Sequence, residues 1–219
     1  MCSRPVGDPG TASAGPGAGR GSPEWNVRAG ALVGPVVAAI AIAAGARISF
    51  SLPGSPVPVT LQTFSVVLAG VLLGPLRAGV AVALYLTLGA LGLPVWAGDG
   101  AGWKPLVGPT AGYLVGFLPA VLVVGWWRHV GLCRNLLPAV GGAAIAHTLV
   151  LALGWVRLGM AVGWGRAWTV GVLPFLPGGA VKSLLAGVLA AWWIGRGATA
   201  GRSGRHGRPV GSRAPWWGI

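Results

Sequence analysis

LPFLPGGAVKSLLAGVLAAWW, Leu173–Trp193, is apolar apart from Lys182 and Ser183, and it is long enough to cross a hydrocarbon core that needs about 20 residues of helix. A lysine near the middle of such a helix costs roughly 2.5–3.5 kcal/mol on insertion scales, so it persists where it faces a cavity, a partner or a ligand. Pro177, Gly178 and Gly179 directly before it predict a break, and transporters commonly build solute sites at broken helices. The stretch therefore predicts a membrane protein with a small-solute site that includes Lys182.

Composition supports a membrane body. Of 219 residues, 54% are hydrophobic and 9% charged, with 40 Gly and 18 Pro, too little charge to coat a water-soluble domain. Asp8, Glu24 and Asp99 are the only acids, which excludes paired-carboxylate catalysis and carboxylate cages for Mg²⁺ or Ca²⁺. Neither a Walker A sequence nor a nucleophilic triad is present, so the chain is read as neither an ATPase nor any other enzyme, and no cofactor is expected. Cys2 and Cys133 form no metal motif and are read as incidental.

The formal charge of +13 follows topology, not nucleic acid. Arg4, Arg20 and Arg28 precede the first apolar segment, Arg77 lies between the second and third, Arg128 and Arg134 between the fourth and fifth, and Arg196 to Arg213 follow the last. With six spans, all these gaps fall on the cytoplasmic side and both termini are cytoplasmic in the cell membrane. The tails lack the interleaved aromatics of a single-strand binder, so no nucleic-acid partner is expected.

Residues 1–28 and 196–219 read as disordered tails, poor in large apolar groups, around a six-helix membrane domain at 29–195. Six apolar segments are expected at about 29–46, 61–73, 76–96, 110–127, 138–158 and 170–194, the second of them short. Connections on the cytoplasmic side are brief, such as GPLRAG at 74–79. Those opposite are long: SFSLPGSPVPVT (49–60) carries Pro53, Pro56 and Pro58, and WAGDGAGWKPLVGPTAG (96–112) is rich in glycine. Irregular backbone at membrane depth survives where protein buries it or where it lines a cavity. The fold expected is an all-α integral membrane protein whose irregular outer loops form a lid over a central pocket.

Five strings, PVPVTLQTF (56–64), LLGPLRAG (72–79), GLPVWAG (92–98), GPTAGYLVGF (108–117) and LPFLPGGAVK (173–182), stand in an order and spacing that resembles the BioY family, the biotin-binding S components of energy-coupling-factor transporters. The resemblance covers about residues 30–195. It implies a six-helix fold that binds biotin from outside and delivers it inward, with a transmembrane coupling protein and two ATPase subunits as partners.

The resemblance places Lys182 at the ligand's ureido head as a charge-assisted donor; a lysine that snorkels to the interface is the alternative. The family's aspartate in a PGDxxK pattern is replaced by Gly179, so another group must accept the ureido N–H bonds. Asp99, the single acid of the membrane body, is the candidate substitute, with a solvated loop charge paired to Lys104 as the alternative. Thr110 offers a hydroxyl at a helix start and Tyr113 an aromatic wall with a polar tip. Gln62 either bonds the ligand or braces the lid. Ala39 and Ala43 form a small-xxx-small pair of the kind S components use to dock the coupling protein, while His147 and Arg157 read as internal hydrogen-bond partners or snorkelling side chains. A biotin carrier that works without ATPases, and a membrane scaffold with an altered or vestigial pocket, stand as alternative functions.

Overall fold

The computed structural model describes residues 24–203; within them, side chains are described from Leu32 to Ile194 except Asp99, and for Arg196. Helix α1 spans Glu24–Arg47. The Pro-rich loop that follows closes as a short antiparallel hairpin, β1 (Ser49–Phe50) against β2 (Val59–Thr60), with Ser49 opposite Thr60. Then come α2 (Gln62–Leu73), α3 (Pro75–Ala90), the single turn α4 (Lys104–Val107) and α5 (Ala111–His129). The chain ends in α6 (Leu136–Val162), α7 (Trp164–Gly171) and α8 (Phe175–Ser203).

Among the described residues, three helices are long and apolar enough to cross a membrane, within Ala111–His129, Leu136–Val162 and Phe175–Ile194, and Leu32–Arg47, Gln62–Leu73 and Pro75–Ala90 are shorter apolar helices. The outward faces agree with a bilayer. Val33, Val37, Ile40, Leu137, Met160 and Val181 are all exposed, more apolar surface than a soluble monomer presents. Trp126, Trp192 and Trp193 sit exposed at one end of the bundle and Trp164 and Trp168 at the other, as in the two aromatic belts of a membrane protein. Arg196 lies 4.4 Å from the Trp192 ring centre.

Gly74 joins α2 to α3 with no linker. Its φ of 79° ends α2 in a conformation that costs glycine nothing, and Pro75 supplies the preset φ of a first helical residue. Elsewhere the helices approach through missing side chains. A Cβ on Gly112 would lie 2.2 Å from the Leu153 carbonyl oxygen of α6, and one on Gly70 would lie 2.3 Å from Val124 of α5. Small residues at such crossings let helix backbones pack without a hydrophobic driving force from water.

Several expected boundaries shift. The third segment ends at Ala90, not Trp96, because the chain turns back at Gly92 (φ 101°) and the Trp96 ring occupies the space a Cβ on Gly89 would need. The sixth segment is two helices, and the break falls at Val172–Pro174, before the Pro177–Gly179 run. Pro177 lies in the first turn of α8, where the N–H it lacks has no intrahelical partner to lose. Helices α1 and α8 also reach past the body limits of 29 and 195; residues 1–23 and 204–219, including Cys2 and most of both expected tails, lie outside the described residues. Ala39 is buried and Ala43 packs against the same core. Val33, Val37 and Ile40 are the exposed side chains on the same helix.

The α5–α6 crossing yields a direct test. Gly112→Val puts a branched side chain onto backbone that cannot yield, and overpacking of this kind costs about 1–3 kcal/mol or more; thermal unfolding in detergent is expected several degrees below the parent. Gly141→Val, where a Cβ meets nothing within 4 Å, is expected to unfold close to the parent temperature.

Candidate functional site

Helical periodicity assembles the site. On α8, Phe175, Gly179 and Lys182 fall at i, i+4 and i+7 and share one face. Thr110, Tyr113, Leu114 and Phe117 do the same at the start of α5, and His147, Val150 and Leu151 on α6. These three faces, with Gln62 and Thr63 of α2, enclose a cavity of about 260 Å³, close to the lower end of small-molecule sites at roughly 300 Å³. The two irregular loops, termed its roof, border it with Pro56, Val57 and Pro58 on one side and Trp96, Ala97 and Gly100 on the other.

The roof is held by side chains that take up loose backbone carbonyls. Ser55 Oγ donates to the Val170 carbonyl at 2.8 Å and accepts from the Val57 N–H at 3.1 Å, which ties the Pro-rich loop to α7. Trp96 Nε1 donates to Gly102 O at 2.9 Å. Arg47 donates to the Pro94 carbonyl and Arg157 to the Val107 carbonyl, so Arg157 works as a brace.

Lys182 is half-buried and does not snorkel. Its ammonium donates to the Thr60 carbonyl, where β2 leads into α2, and to Thr63 Oγ1 at 3.2 Å. An ammonium has three donors, so one is left for a group in the cavity. A Cβ on Gly179, one turn earlier, would meet nothing within 4 Å; the room an aspartate side chain would occupy is open.

Gln62 is 4% exposed, and its Nε2 donates to the Tyr85 hydroxyl at 2.7 Å, which in turn donates to the Val95 carbonyl at 3.2 Å. It braces the roof and lines the cavity at once. Tyr113 forms a wall against Phe175, ring centres 6.3 Å apart, but its hydroxyl proton goes to Gly171 O at 2.8 Å. The polar tip expected to face a ligand thus fastens the end of α7, and Gly154 makes the space for the ring. Thr110 precedes α5 without a side-chain cap bond, so its hydroxyl is unengaged among the described residues and lines the cavity. Asp99 closes a single 3-10 turn, Ala97–Asp99, between two cavity-lining residues; its side chain lies outside the described ones.

His147 is the residue the sequence reading placed inside the protein without assigning it to the cavity. It lines the cavity, and its Nδ1 lies 2.9 Å from the Ala143 carbonyl and 3.0 Å from Ser183 Oγ. Ser183 gives its own proton to Gly179 O at 2.7 Å, so both neighbours of Nδ1 accept and Nδ1 carries the hydrogen. Nε2 is then an acceptor in the neutral ring, buried and unpartnered among the described residues. The α6–α8 pairing that exposes this arrangement has no local signature in sequence.

Comparison with known proteins gives a consistent picture. The chain is 40% identical over 146 residues to the "Probable biotin transporter BioY" of Pyrococcus horikoshii, covering 67% of this chain and 85% of that one. It is 39% identical over 143 residues to the "Biotin transporter BioY" of Thermotoga maritima, covering 64% and 82%. Its fold matches the 2.1 Å crystal structure of the S-component for biotin from an ECF-type ABC transporter with a TM-score of 0.69 at 23% identity, over 77% of this chain and 93% of that one. The BioY family profile matches residues 21–196, four of the five ordered motifs contribute cavity-lining residues, and the chain belongs to the BioY family.

Proposed function

We propose that this protein is the substrate-binding membrane subunit of a biotin uptake system of the energy-coupling-factor type. The observation that carries the reading is the half-buried Lys182, fixed by Thr60 and Thr63 with one N–H left over, on the floor of a small, mostly apolar cavity. Biotin's ureido oxygen is a strong acceptor that suits that donor, its thioether ring suits walls such as Leu114, Phe117 and Phe175, and its carboxylate needs a polar group such as the Thr110 hydroxyl. Relatives whose names specify biotin transport support the cargo.

The protein sits in the cell membrane with both termini cytoplasmic, Arg77, Arg128 and Arg134 on the inner side and the cavity opening outward. It is a binding subunit, not an enzyme. A transmembrane coupling protein and two ATPase subunits supply the energy, and inward release follows reorientation of the subunit against them. Asp99, in the roof, remains a proposed acceptor for ligand N–H groups alongside Gln62.

The mass of the ligand retained through mild purification tests the cargo directly; biotin is expected, and a different vitamin overturns the assignment. Uptake by cells expressing the chain with and without a coupling module separates an energised subunit, which needs the module for accumulation, from a carrier that works alone. Lys182→Met keeps the apolar stem and removes the charged donor, worth about 1.5–3 kcal/mol, so calorimetry is expected to show biotin affinity down by roughly ten- to a hundredfold. Parent-like affinity would remove Lys182 from the site.

Gly179→Asp adds a carboxylate into open space on the Lys182 face. Alone it would carry a desolvation cost, but the ammonium and a ureido N–H together satisfy its oxygens. Tighter biotin binding is expected, with the gain lost in the Lys182→Met background, a coupling that a double-mutant cycle measures. Weaker binding by a well-folded Gly179→Asp protein would mean that the pocket serves a different donor pattern.

A further inference from the structure

We infer that Tyr85 is a positioning residue for ligand recognition: by fixing which way round the Gln62 amide sits, it presents the Gln62 oxygen to the cavity as the acceptor for a ureido N–H, in place of the missing carboxylate at position 179. The inference rests on the biotin reading above and adds a mechanism to it.

A phenol has one proton to give. The Tyr85 hydroxyl gives it to the Val95 carbonyl, a group that can only accept, so toward Gln62 the same oxygen must accept. The group that donates to it at 2.7 Å is then the amide nitrogen, Nε2. The orientation of a glutamine amide is ordinarily ambiguous, and here the network decides it. Tyr85 itself has no freedom to reverse roles. It is 1% exposed, and its ring packs edge-on against Trp96 with centres 5.2 Å apart, while Trp96 is locked into the notch at Gly89.

The other end of the amide follows. With Nε2 engaged, Oε1 has no protein partner among the described residues, yet the one described buried polar side-chain atom without a partner is His147 Nε2. Oε1 is therefore accessible, and the space that the otherwise buried Gln62 borders is the cavity. An amide turned the other way would present an NH₂ donor to a ureido N–H, two donors facing each other. Recognition of one ligand N–H is thereby wired through Gln62 and Tyr85 to the Val95 carbonyl of the roof, so the group that reads the ligand also holds the roof in place. The two readings of Gln62, ligand contact and brace, are the two ends of one amide.

The test uses the full-length protein in detergent, after confirming that the parent binds biotin. Tyr85→Phe removes the acceptor for Nε2 and frees the amide to turn; biotin affinity by calorimetry is expected to fall roughly tenfold, the scale of one buried hydrogen bond. Gln62→Glu separates positioning from general damage. A carboxylate has no wrong way round, so in that background Tyr85→Phe is expected to change biotin affinity by less than about threefold. A second readout uses a biotin analogue methylated on the ureido nitrogens, for which Tyr85→Phe and the parent are expected to differ little. An undiminished loss on Tyr85→Phe in the Gln62→Glu background, or an equal loss for the N-methylated analogue, would make Tyr85 a structural support only and overturn the inference. Parent-like biotin affinity of Tyr85→Phe would overturn it as well. A parent that fails to bind biotin at all overturns the biotin reading first, and this mechanism with it.

Discussion

One ammonium holds the two halves of this site together. Lys182 projects from α8 and ends on the Thr60 carbonyl and the Thr63 hydroxyl, at the point where the outer hairpin turns into α2. A cation in an apolar bundle persists only with partners, and these partners lie where a hairpin only two residue pairs long, whose loop Ser55 also ties to α7, leads into α2. The same contact that satisfies the charge therefore sets the position of the Pro56–Pro58 roof and of Gln62 on the first turn of α2. Where the lysine is anchored, the cavity has a floor and one wall.

The rest of the site end obeys the same rule. Its loops carry carbonyl groups without helical or sheet partners, and at membrane depth water is not there to take them. Side chains do so instead: Tyr85 on Val95, Arg47 on Pro94, Arg157 on Val107, Ser55 on Val170 and Tyr113 on Gly171. Four of these bonds join a loop or a short helix to one of the long helices, and the fifth, from Ser55, joins the Pro-rich loop to α7. The roof thus has defined geometry although it contains little regular structure, and the polar tip of Tyr113 is spent on architecture while its ring forms the wall.

Much of this was legible in the sequence, and the limits have physical causes. Hydropathy located the membrane body and the unusual lysine, because those signals are local. The position of the break before α8 was misplaced, since a proline is tolerated in a first helical turn as readily as it ends a helix. The inward orientation of Ala39 and Ala43 could not be read, because a chain this rich in alanine and glycine offers small-residue pairs on every face. His147 escaped assignment to the cavity for a different reason. Its significance depends on Ser183, 36 residues away, whose own bond to Gly179 O fixes the ring's tautomer.

The BioY resemblance implies an aspartate where this chain has Gly179, and glycine there means one charge as well as one acceptor fewer on the Lys182 face. A carboxylate three residues before the lysine, on the same helical face, would make the floor a neutral ion pair. Here the described partners of the ammonium are a carbonyl and a hydroxyl, Thr60 O and Thr63 Oγ1. Dipoles of this kind solvate a charge without cancelling it, and a neutral acceptor carries less desolvation cost than a buried carboxylate. With glycine at position 179, an acceptor for ligand N–H groups has to come from elsewhere in the cavity, and a neutral acceptor such as an amide or an imidazole needs its orientation fixed by neighbours; in this fold the hydrogen bonds of Tyr85 and Ser183 do that for Gln62 and His147.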